Sequence, residues 1–164
     1  LMQDQDYMQQ ALALAAEAAR EGEVPVGCVI TGPDGTVIGK GRNRREETKD
    51  ACAHAEMLAI REACQAMNDW RLEGCALYVT LEPCPMCAGA IINARIPRVV
   101  FGASDEKCGA CGSVCDLFEM EFNHHPAVEK GVREEECGAL LREFFSDLRQ
   151  KLRTRPKWRP PETE

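Results

Sequence analysis

Apolar positions recur along this chain in two rhythms, one helical and one extended, and the switches between them mark its elements. Over residues 4–21 an Ala-rich stretch places Met8, Leu12 and Ala15 at helical spacing, and Gly22 closes the helix. The β-branched run VPVGCVIT (24–31), the turn Pro33-Asp34-Gly35 and TVIGKGRN (36–43) predict a β-hairpin. A polar loop, RREETKD, leads into a second helix from about His54 to Met67. CALYVT (75–80) and RVVFGA (98–103) read as buried strands, separated by a third helix from about Pro85 to Ala94. The Gly- and Cys-rich stretch 104–116 reads as irregular, and Ala127–Val132 as a short fifth strand. In the last helix Cys137, Leu140, Leu141, Phe144, Phe145, Leu148 and Leu152 fall on one stripe opposite charged residues. Pro156, Pro160 and Pro161 bar further helix, which leaves a basic tail expected to be mobile.

Strand–helix–strand alternation after residue 54 calls for parallel strands covered by helices. With the leading hairpin, the expected fold is a single three-layer α/β domain: a mixed sheet of about five strands with helices on both faces.

Composition narrows the class. A chain of 164 residues with 45% apolar content can bury a core. The start, LMQDQDYMQQ, has no secretory pattern, and no run is long enough to span a bilayer, so a soluble cytoplasmic protein without membrane contact is expected. Ten cysteines could announce a disulfide scaffold. In an Ala- and Leu-rich chain of this size they read instead as ligands or small core residues. Net charge is -7, yet residues 149–159 (RQKLRTRPKWR) carry only positive charge, and Arg42, Arg44 and Arg45 surround Asn43. Such runs are either solvated surface or local attraction for phosphates.

The chemistry lies in His54-Ala55-Glu56 and Pro83-Cys84-Pro85-Met86-Cys87, each at a predicted helix start. Thiols three residues apart share one face of a first helical turn, where the helix N-terminus favours the thiolate. Two thiolates and an imidazole suit one Zn2+ per chain and leave a tetrahedral position open to water, the mark of a catalytic site. Glu56, two residues from a ligand, is placed to take a proton from that water, pass it to a ring nitrogen and later protonate a leaving amine. The alternative is a structural zinc knuckle, with His124, His125 or a spare cysteine as fourth ligand. His-x-Glu followed by Pro-Cys-x-x-Cys is the known signature of zinc deaminases.

On these residues the chain resembles the bacterial tRNA-specific adenosine deaminases, within the cytidine-deaminase-like superfamily. EVPVGCVI (23–30), AHAEM (53–57), TLEPCPMCAGAII (80–92), RIPRVVFGA (95–103), FNHHPAVEKGV (122–132) and ECGALLREFFSDLR (136–149) follow the family in order. The resemblance implies a cytidine-deaminase-like fold over residues 1–152, with 153–164 as a basic, Pro-rich tail. It implies a homodimer that takes a tRNA anticodon stem-loop and converts its wobble adenosine to inosine by hydroxide attack on C6, with Glu56 as proton shuttle. His54, Cys84 and Cys87 would be the zinc ligands, and Asn43, Val26, Ala55, His124 and Phe145 the substrate contacts.

Each of those contacts has a plainer reading. Asn43 would contact the base, or bond its own backbone at a strand end. Val26 would line the pocket, or be core; His124 would meet RNA, or be a satisfied polar residue. Phe144 and Phe145 point about 100° apart, so one is expected in the core and the other against RNA or a dimer partner. The chain departs from the family at Cys108, Cys111 and Cys115, a spacing open to a second metal or to plain thiols. It also carries fewer arginines after Phe145, and His125 where Arg is common. A free-base deaminase acting on cytosine or guanine would share the zinc site, and a non-catalytic zinc or RNA-binding module would share the motif. The GRNRR cluster, the basic last helix and its Phe-Phe pair favour RNA.

Overall fold

The computed structural model describes residues 2–161. Strands β1 (Gly27–Thr31), β2 (Val37–Arg42), β3 (Ala76–Leu81), β4 (Arg98–Ala103) and β5 (Ala127–Lys130) form one sheet in the order β2-β1-β3-β4-β5. β1 runs antiparallel to β2 and β3, whereas β3, β4 and β5 are parallel. Period-2 alternation divides the core. Cys28, Ile30, Leu77, Val79, Val99 and Phe101 face helices α3 (Ala55–Met67) and α4 (Pro85–Asn93). Val29, Tyr78 and Val100 face α1 (Asp4–Arg20) and α5 (Glu134–Thr154). The expected three-layer architecture with a mixed five-stranded sheet is the one observed.

Local differences have local causes. β1 starts at Gly27 rather than residue 24, because Pro25 has no amide to give a ladder and Val26 N–H turns back onto the Val24 carbonyl. The expected loop after β2 contains a short helix, α2 (Arg45–Thr48). Its amides at Glu46 and Glu47 donate to the buried carboxylate of Glu23 at 2.9 and 3.0 Å, a cap supplied from over twenty residues away. The last helix runs into the expected tail as far as Thr154. Residues 155–161 are exposed and form neither helix nor strand, and the rest of the tail lies outside the described residues.

The stripe along α5 is covered over only part of its length. Only Cys137 is buried; Leu140, Leu141 and Phe144 are half-buried, and Phe145, Leu148 and Leu152 are exposed. The helix outruns the sheet, so its distal apolar positions have no strand beneath them.

The contact between α3 and β2 is very close. A Cβ added to Gly41 would overlap the Ala55 carbonyl and lie 2.9 Å from the Ala59 amide nitrogen. Facing alanines at 55, 59 and 63 let the helix backbone rest almost directly on the strand. We expect Gly41→Ala to force α3 outward and cost about 1–3 kcal/mol. The check is a lowered urea midpoint at unchanged m-value.

Candidate active site

Two helix N-termini meet beyond the end of β3. His54 is the N-cap of α3, with Ala55 and Glu56 as its first residues; Cys84 is the N-cap of α4, with Pro85 opening the helix. Proline costs nothing there, since the first amides of a helix have no internal partner. The His54 Nδ1 atom lies 3.6 Å from Cys84 Sγ and 3.5 Å from Cys87 Sγ. All three donor atoms fall within 4.8 Å of one another.

That spacing fits zinc. Zinc–sulfur and zinc–nitrogen bonds of about 2.3 and 2.0 Å at a tetrahedral angle put the two donors about 3.5–3.6 Å apart. Proton sharing within the cluster points the same way. Donation from the Cys87 thiol, together with His54, lowers the Cys84 thiol to about 4. Cys87 is held well above the usual thiol range, as donor to Cys84 and through burial, and the bond to Cys84 raises His54. Only one of the two thiols ionises readily on these terms, and a divalent cation would favour the second thiolate as well.

Glu56 is 4% exposed, and burial pushes its carboxyl up to about 7. It sits one residue beyond Ala55, on the same turn as the imidazole.

Among the described residues, His54, Cys84 and Cys87 are the only group of three His, Cys, Asp or Glu close enough to share an ion. The histidines considered as a fourth ligand are engaged elsewhere. His124 Nε2 donates to the Ile96 carbonyl at 2.7 Å, and His125 Nδ1 to that of Phe118 at 2.8 Å. Ile96 precedes β4, at the end of the sheet opposite the cluster, so His124 does not join the other candidate contacts within one chain. Cys108, Cys111 and Cys115 form no second cluster; Cys111 is buried and the other two are exposed. All ten cysteines are free.

A cavity of about 920 Å³ opens over the cluster. Val26, Ala55, Glu56 and Asn43 line its buried depth, half-buried Leu141 lies above them, and Arg45, Arg142, Phe145 and Arg149 form its exposed rim. Asn43 reaches the cavity while bonded to backbone: its Nδ2 donates to the Val24 carbonyl at 3.2 Å, and its Oδ1 accepts from Arg45 N–H at 3.3 Å. The backbone reading of Asn43 is the one observed, and its side chain also lines the cavity. Of the phenylalanine pair, Phe144 is half-buried and Phe145 faces the cavity.

Sequence reasoning missed Glu82 and the segment Ser104–Cys108, which also line the cavity. The available signal was a lone acid between a strand and the Cys-x-x-Cys turn.

Residues 1–103 match the family model of the cytidine and deoxycytidylate deaminase zinc-binding region. The chain belongs to this family. Zinc is therefore the metal expected at a site such as this one. The chain is 49% identical to the tRNA-specific adenosine deaminase of Bacillus subtilis over 96% of its own length and 98% of that protein. It is similar to a solved structure from studies of A-to-I editing by tRNA:A34 deaminases at the wobble position of transfer RNA. The TM-score there is 0.79 at 46% identity, covering 82% of this chain and 98% of that one. It also resembles the guanine deaminase of Bacillus subtilis, at 30% identity and a TM-score of 0.62, covering 97% and 99%.

A zinc deaminase with these donors should carry one zinc per chain by elemental analysis. Cys87→Ser or His54→Ala should lower that content at least tenfold under chelator competition, as expected for loss of a ligand. A content near two would require a second site involving Cys108.

Proposed function

We propose that this zinc deaminase hydrolyses the wobble adenosine of a tRNA anticodon stem-loop to inosine and ammonia, acting as a cytoplasmic homodimer. The observation that carries the reading is the division of the cavity. Its depth sets the apolar Val26 and Ala55 beside the polar Glu56 and Asn43, a mixture suited to one base. Its rim has three arginines and an exposed aromatic ring, more than a free base needs but suited to flanking phosphates and nucleotides. The similarity to tRNA-specific adenosine deaminases over nearly the whole chain supports it.

Zinc held by His54, Cys84 and Cys87 supplies the Lewis acidity that makes a water molecule acidic and nucleophilic. Glu56 does the proton work. With a carboxyl raised to about 7, it can accept a proton from the water, deliver it to N1 of the adenine ring and later protonate the departing amine at C6. The water oxygen ends as the C6 carbonyl oxygen and the exocyclic nitrogen leaves as ammonia, so no redox partner is needed. Asn43 is held on both sides by backbone, which fixes its amide where a polar edge contact to the base is wanted. Val26 and Ala55 supply the apolar floor, and Phe145 a face on which a neighbouring base can stack. The helical residues Arg149 to Thr154 and the basic residues beyond them extend the positive surface; the deaminase domain is taken as 1–152 and the remainder as a tail. For His124 the proposed RNA contact requires the second subunit, because within one chain it stands at the far end of the sheet.

Glu56→Ala should retain zinc and fold while lowering turnover by about 10²–10⁴-fold. The assay is inosine formation in an anticodon stem-loop carrying a wobble adenosine, run beside guanine and cytosine. Comparable ammonia release from a free base would favour the guanine deaminase reading. Zinc loss in Glu56→Ala would make Glu56 a ligand and end the scheme.

Arg149→Ala should weaken stem-loop binding several-fold and reduce the slope of log affinity against log salt by about 0.7–0.9. Binding titrations at several salt concentrations measure it, and an unchanged slope would remove Arg149 from the RNA path.

A further inference from the structure

The Gly- and Cys-rich stretch after β4 gathers no second group of three metal donors among the described residues, yet it folds around one buried charge. Glu82 stands between β3 and Cys84 and is 3% exposed. Its Oε1 accepts from the Asp105 amide at 3.2 Å and the Ser113 hydroxyl at 2.5 Å. Its Oε2 accepts from the amides of Cys111 at 3.0 Å and Ser113 at 3.2 Å. None of these partners is a cation. A carboxylate buried on such terms is costly unless all its acceptor positions are used, and here they are used by one loop. The loop is shaped to fit: a Cβ on Gly109 would overlap the Glu82 carboxylate. Next to it, the Ala110 amide donates to the Pro83 carbonyl at 2.9 Å.

The consequence is geometric. Ser104–Cys108 form a wall of the substrate cavity, and Cys84 and Cys87 belong to the turn that follows Glu82. One carboxylate ties the wall to the ligand turn. We propose that Glu82 is a positioning residue for the deamination, holding Ser104–Cys108 in register with the Cys84–Cys87 turn so that the wall meets the bound nucleotide. The inference rests on the reading of this cavity as the substrate site. No hydrogen bond among the described residues joins Ser104–Cys108 to the zinc ligands or to Glu56, so the wall is expected to bind ground state and transition state alike, and its loss should appear in KM rather than kcat.

Glu82→Gln isolates the effect. An amide at the Oε1 position still pairs with the Ser113 hydroxyl, which can turn to accept, but faces the Asp105 amide donor to donor. The experiment compares wild type, Glu82→Gln and the milder Ser113→Ala for zinc content, amide hydrogen exchange over 105–113, and kcat and KM on the anticodon stem-loop. For Glu82→Gln we expect full zinc, exchange at Asp105 about tenfold faster, KM raised about five- to tenfold and kcat within about twofold. Ser113→Ala should shift KM in the same direction by about threefold, and it keeps the test decisive if Glu82→Gln does not fold. Faster exchange with wild-type KM would make the clamp merely structural and overturn the proposal. Loss of zinc together with kcat would also overturn it, by assigning Glu82 to the ligand turn alone. A wild-type enzyme that leaves the stem-loop untouched, while releasing ammonia from a free base, would show a different failure: that of the functional reading, and of this proposal with it.

Discussion

The convergence of two helix N-termini on three donor atoms is the constraint the rest of the molecule serves. His54 and Cys84 are not loop residues that happen to approach; each caps a helix whose far end is fixed by core packing. α3 is pressed onto β2 through Gly41 and the facing alanines, so the height of Ala55 above the sheet also sets the height of His54 and Glu56. α4 follows directly from β3, whose pairing with β1 and β4 determines where Cys84 begins. Nitrogen–sulfur separations of 3.5 and 3.6 Å leave little room for error. Spending a rigid core on that tolerance is what a preorganised metal site requires.

This explains which parts were legible in the sequence. β4 was readable to the residue because a buried parallel strand is a continuous apolar run, and RVVFGA is one. The helix starts at the zinc motifs were readable because capping and proline preferences act within one turn. The failures lie where the partner is distant in sequence. α2 has no strong local signal and depends on a carboxylate over twenty residues earlier. The Glu82 clamp depends on amides as many as thirty-one residues later. The periodicity of α5 was correct as periodicity, but it could not tell how far the sheet extends beneath the helix.

Two buried acids therefore do related work on opposite walls. Glu23 holds the loop that carries Asn43 and Arg45, and Glu82 holds the loop that carries Ser104–Cys108. Each uses backbone amides, which makes the loop's conformation insensitive to most of its own side chains. That separation leaves wall side chains free to vary while the backbone stays in place, a suitable arrangement for a cavity that must grip one extruded base firmly.

The acidic net charge does not oppose an RNA substrate once distance is considered. At physiological ionic strength charges are screened over about 8 Å, so a phosphate near the cavity responds to Arg45, Arg142 and Arg149 more than to the sum over the chain. An acidic body with a basic rim also differs physically from a uniformly basic protein. The body disfavours contact with arbitrary stretches of nucleic acid, whereas the rim rewards a strand whose phosphates are spaced around an extruded base. Discrimination then comes from the shape of the positive surface rather than its total charge, which is the form of selectivity needed by an enzyme that must find one exposed base among many paired ones.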